Sequence, residues 1–170
     1  MSCDAFVSRE RAGRLYAVAM LSRLVRVGLI TGLVDGLWAC VLAIGIYGST
    51  FARLWQGVAS TVLGKAALQG GTRTVLIGLL MHFCVAFAWS AVFLLLVMRS
   101  ALVRRALETP AGVFAVAAVY GPVIWMVMSL LVIPLLVHRP PAVTGRWWIQ
   151  LIGHVFFVGL PIVAASARRR

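Results

Sequence analysis

Three ionisable side chains and one thiol lie where almost everything around them is apolar. Asp35 is the only acid within any of the long apolar stretches, His82 and His154 are the only histidines within them, and Cys40 lies one turn and a half beyond Asp35. Placing such groups in hydrocarbon is costly, so they turn toward protein partners and mark candidate functional positions. Two histidines on different helices could supply both axial ligands of a haem, haem b being the form considered. With Cys40 they could begin a metal site. Asp35 with the histidines could carry protons, or centre a small proton-coupled transporter. The plainer alternative is that all three only hydrogen-bond between helices and hold them together.

Conventional catalytic groupings are not indicated, and no catalytic residue is assigned. Glu10 and Glu108 are isolated, so no carboxylate pair is set up for acid–base work. No glycine-rich phosphate loop and no zinc-ligand spacing occurs. Ser60, Ser90 and Ser129 lack the context of an activated nucleophile.

The elements that must position these residues are four apolar stretches, 27–47, 74–98, 113–137 and 147–167. Each has about the 20 residues a helix needs to cross a hydrocarbon core. Hydrophobic residues make up 62% of the chain and charged residues 12%, against about 25% charged in soluble domains. The expected fold is an all-α membrane protein, a four-transmembrane-helix bundle over residues 27–167. A basic amphipathic segment (1–26) precedes it and a basic tail (168–170) follows. The net charge of +12 points to anionic headgroups of the lipid bilayer rather than to nucleic acid.

Lys and Arg distribute unevenly, eleven before the first stretch, between the second and third, and after the fourth, against five in the other two connections. The positive-inside rule then places both termini in the cytoplasm of a bacterial inner membrane. No secretory signal is expected, because the first apolar run is itself of spanning length. At about 1.5 Å per residue, His82 and His154 fall about 12 and 11 Å from the outer ends, Cys40 about 11 Å and Asp35 about 18 Å.

The connections carry further signals. Residues 10–26 read either as a surface helix or as an extension of the first span, the latter favoured because no Gly or Pro intervenes between Arg14 and Arg26. Between spans one and two, Phe51, Leu54, Trp55, Val58, Val62 and Ala66 recur at helical spacing. The expectation is an amphipathic interfacial helix ending at Gly70-Gly71, serving as a tether, a lid or a partner surface. Trp147 and Trp148 after Arg146 read as interfacial anchors, and His138 as a solvated rim residue. Gly28, Gly32 and Gly36 repeat every fourth residue, which lets a neighbouring helix, internal or from a homo-oligomer or another membrane protein, approach closely. Pro122, Pro134 and Pro161 should loosen their helices. Cys3, Cys40 and Cys84 offer no extramembrane pair for a disulfide.

Several short runs of residues carry a resemblance. Gln56-Gly57-Val58-Ala59-Ser60, Leu63-Gly64-Lys65-Ala66-Ala67 and Gly70-Gly71 resemble the first outer loop of a family of small, uncharacterised bacterial four-span inner-membrane proteins. Gly78-Leu79-Leu80-Met81-His82-Phe83, and Gly153-His154 with Val158-Gly159-Leu160-Pro161, are similar to that family's second and fourth spans. The resemblance implies the four-span architecture and singles out Asp35, His82 and His154. It implies no reaction. The function expected is that of a non-enzymatic structural or accessory membrane protein, binding a lipid or partner.

Overall fold

The computed structural model describes residues 3–167, without the side chains of residues 3–9 and 12. The basic tail 168–170 and the Cys3 thiol therefore lie outside what is described. Of the described residues 88% are helical, and none forms a strand.

Helix α1 spans Cys3–Cys40 without a break and widens into a π-helical turn at Val41–Ile46. The absence of Pro or a helix-ending Gly from this run explains its continuity. The basic segment thus extends the first span as one helix. A turn through Gly48, at φ +62°, leads to α2 (Phe51–Leu63), capped by the Thr50 side chain accepting from the Arg53 amide. Helix α2 stops earlier than the spacing predicted. Gly64, at φ +72°, ends it, and a 3-10 segment (Lys65–Gln69) carries the chain to α3 (Gly71–Leu95). Short α4 (Ala101–Ala106) connects to α5 (Pro110–Val127), which begins with Thr109 capping and Pro110 in the first turn.

The third and fourth spans each contain a π-helical turn immediately before a proline. Met128–Val132 precedes α6 (Ile133–Val137) and Pro134. Val155–Gly159 separates α7 (Gly145–His154) from α8 (Leu160–Ser166) and precedes Pro161. A proline cannot donate to the carbonyl four residues back and its ring crowds that carbonyl, so a wider turn relieves the clash. Pro122 sits within α5 with no such widening.

Four helical runs are long and apolar enough to cross a membrane, covering Gly13–Ile46, Gly71–Arg99, Pro110–Val137 and Gly145–Ser166. The protein is a multi-pass membrane protein. Helix α1 packs on α3 and α8, and α5 packs on α7, α8 and the π turn between them. The glycine face of α1 meets α3 within the chain: an added Cβ on Gly28 or Gly32 would strike the rings of Phe87 and Phe83, and one on Gly36 would lie 3.3 Å from His82 Nε2. Closer contacts fall elsewhere. A Cβ on Gly121 would meet the His154 carbonyl and one on Gly159 the Ala117 carbonyl, so α5 and the fourth span touch backbone to backbone.

The apolar core gathers in the half of the bundle that carries the termini. Val27, Phe93, Ala117, Ile162 and Val163 are fully buried there, with Tyr120 and Ile124 beside them. Arg23 closes this end by donating to the Ser166 carbonyl, a capping contact at the end of α8.

Candidate functional site

Asp35, His82 and His154 are brought together by α1, α3 and α7. His82 sits on the glycine face of α1, where its Nε2 donates to the Gly32 carbonyl at 2.9 Å. Its Nδ1 stands 3.9 Å from Asp35 Oδ2. Gly36 carries no side chain to crowd the imidazole, and Gly32 none to push the adjacent Phe83 ring away. His154, only 8% exposed, donates through Nδ1 to the Gln150 carbonyl at 2.7 Å, and it lines the same cavity as Asp35. The π turn begins at the next residue. Gln150 also accepts, at its side-chain oxygen, from Trp38 Nε1 at 3.2 Å, tying the fourth span to α1.

Each histidine is covered by a tryptophan. The Trp55 ring lies 5.0 Å from His82 and the Trp125 ring 4.8 Å from His154, centroid to centroid. Trp55 reaches His82 because α2 docks on α3 at Gly78, where any Cβ would meet the Trp55 carbonyl. The buried line of α2 is therefore Trp55, Gln56 and Ala59, while Phe51 and Val62 are exposed. Gln56, which is not among the apolar residues at helical spacing, is buried and donates to the Gly71 carbonyl at 3.3 Å.

Asp35, His82, Gln150 and His154 form the floor of a cleft of about 560 Å³. On the terminal side α3 and α5 meet through Tyr120, whose hydroxyl donates to the Trp89 carbonyl at 2.7 Å. Farther along, the two helices stand apart and the cleft lies between them, walled by residues such as Val85, Ile124, Met128 and Val132. Helix α2 contributes Val58, Thr61 and Val62 and reaches across to α6. Leu80 and Leu136, at the rim on α3 and α6, are exposed. Two polar atoms among the lining residues are buried without a hydrogen-bond partner, Thr31 Oγ1 and Trp125 Nε1.

The three-ligand metal reading does not fit this arrangement. Among the described residues no three His, Cys, Asp or Glu side chains come together in a way that would hold a metal ion. A three-ligand site from His82, His154 and Cys40 is therefore not formed. For a bis-histidine haem, His82 would have to release the Gly32 carbonyl to free Nε2, leaving otherwise only the Nδ1 that faces Asp35. Cys40 and Cys84 are free thiols. Two expectations at the rim also divide. His138 is exposed, in a left-handed backbone conformation at the end of α6. Trp147, in contrast, turns inward and donates from Nε1 to Ser129 Oγ at 2.9 Å, leaving Trp148 alone facing out.

Sequence reasoning did not single out Trp55, Trp125, Thr31 or Gln150 as parts of this site. Trp55 lacked a signal because a tryptophan in a connection between spans ordinarily belongs to the membrane interface, and Trp125, in the middle of the third apolar stretch, is not set apart from its apolar neighbours. No family model, no curated protein and no solved structure matches the chain.

Proposed function

We propose that the protein is a non-enzymatic accessory protein of a bacterial inner membrane that takes an apolar molecule from the bilayer into the cleft between α3 and α5–α6. The observation that carries this reading is the cleft: about 560 Å³, with apolar walls and a small set of polar groups converging at its floor. That combination of size, apolar lining and few placed polar groups is what small-molecule sites share. The exposed rim residues Leu80 and Leu136 support entry from the side, through lipid, rather than from water.

The asymmetry of eleven basic residues against five supports cytoplasmic termini. In that orientation the cleft belongs to the outer half, and α2 lies near the outer interface as its roof. Binding is favoured over transport because Ile162, which lines the cleft on the terminal side, is fully buried in one cluster with Phe93 and Val163.

The test is tryptophan quenching in nanodiscs by a neutral, nitroxide-labelled alkyl ester. Trp89 and Trp125 line the cleft, so the wild type should show saturable quenching. The double substitution Val85→Phe with Val132→Phe, which fills the cleft, should remove the saturable part. Linear quenching, the same in both proteins, would overturn the reading.

A further inference from the structure

We infer that the cleft selects lipophilic amines, with the Asp35 carboxylate as counter-charge to a protonated nitrogen; this rests on the cleft being a binding site. An ionised carboxylate only accepts hydrogen bonds, and in hydrocarbon it needs a positive partner. Among the described residues Asp35 has one ion-pair contact, to His82 at 3.9 Å, beyond hydrogen-bond length. His82 spends its other nitrogen on Gly32. His154 faces the same space from α7, with Nδ1 committed to Gln150. No Lys or Arg lines the cleft, and α2 and α5 present only Val58, Thr61, Val62, Ile124 and Trp125 toward it.

The floor thus offers a carboxylate, 24% exposed at its side chain, with no permanent cation beside it. A protonated amine supplies both missing elements, a charge and N–H donors. Thr31 Oγ1, buried and without a partner, is a second acceptor on the same helix, one turn from Asp35. The Trp125 and Trp89 rings in the wall offer faces that attract a cation. The aliphatic walls accept the body of the molecule. An anionic amphiphile would meet the carboxylate instead, and a neutral one would leave it unpaired.

The experiment uses a matched pair of nitroxide-labelled probes on the full-length protein in nanodiscs at pH 7. One ends in a tertiary amine and the other in a methyl ester, and each is corrected for its partition into empty nanodiscs. The wild type should bind the amine at least about tenfold more tightly, the size expected of one desolvated charge-assisted contact. Asp35→Asn should bring the amine within about twofold of the ester while the ester binds as before, and Asp35→Glu should keep the preference. Equal affinities in the wild type would overturn the inference and leave the cleft standing as a neutral site. Failure of both probes to bind saturably would remove the binding reading itself. The wild-type comparison decides the matter even where a variant does not fold.

Discussion

His82 ties α3 to α1 through one ring nitrogen, Nε2, which donates to the Gly32 carbonyl at 2.9 Å, while Nδ1 faces Asp35 Oδ2 at 3.9 Å. One imidazole therefore both fastens α3 to α1 and defines the polar floor of the cleft. His82→Phe keeps an aromatic ring for Trp55 and deletes both polar contacts. The expected cost is about 1 kcal/mol, the scale of interhelical hydrogen bonds in membranes. Denaturant titration in detergent measures it, and an unchanged midpoint would show that the ring contributes packing alone.

The glycines divide by what surrounds them. Gly78→Ala, Gly121→Ala and Gly159→Ala each push a methyl group into a neighbouring backbone, and such overpacking costs about 1–3 kcal/mol. Gly57, inside α2, has nothing within 4 Å of an added Cβ. Gly57→Ala should instead raise stability, by up to about 1 kcal/mol, from helix propensity. The same titration on the four variants should rank them in two groups, and a uniform response would contradict the close crossings.

Thr31 separates a packing role from a ligand role. Its hydroxyl is buried and unpaired, so Thr31→Val removes an unsatisfied group at nearly constant shape. Stability should be unchanged or rise by about 1 kcal/mol, while binding of the amine probe falls. Lower stability with undiminished amine binding would assign Thr31 to the scaffold.

Topology is testable with single cysteines in a background lacking Cys3, Cys40 and Cys84. Gln69 and Ser100 are both exposed and lie at opposite ends of α3. With the termini cytoplasmic, a membrane-impermeant thiol reagent should label Gln69→Cys in intact spheroplasts and Ser100→Cys only after permeabilisation. The reverse pattern would invert the orientation and place the cleft in the inner leaflet.

The four spans were legible because an apolar stretch of spanning length is a property of sequence alone; where the first helix begins was less so, since its apolar run reaches back to Gly13. The meeting of Asp35 with His82 and His154 was only half legible. Depth counting put the histidines level, but it carries no information on which helices adjoin. The role of α2 was hidden for a physical reason. Its hydrophobic spacing includes Phe51 and Val62, which face out, and omits Gln56, which is buried because Gly71 offers it a carbonyl. Gly78 gave no warning either. A single glycine within a span has no periodic signature, yet it sets how closely Trp55 approaches His82.

The most direct test of the central claim is photo-crosslinking with a neutral, apolar diazirine probe in liposomes, mapped by peptide mass spectrometry with and without excess unlabelled probe. Lipid-facing residues such as Leu76 and Val119 will be labelled in any case, without competition. A cleft that binds from the bilayer predicts that competable adducts concentrate on Val85, Trp89, Met128 and Val132. Adducts that respond equally to competitor, or not at all, at both sets of positions would contradict it.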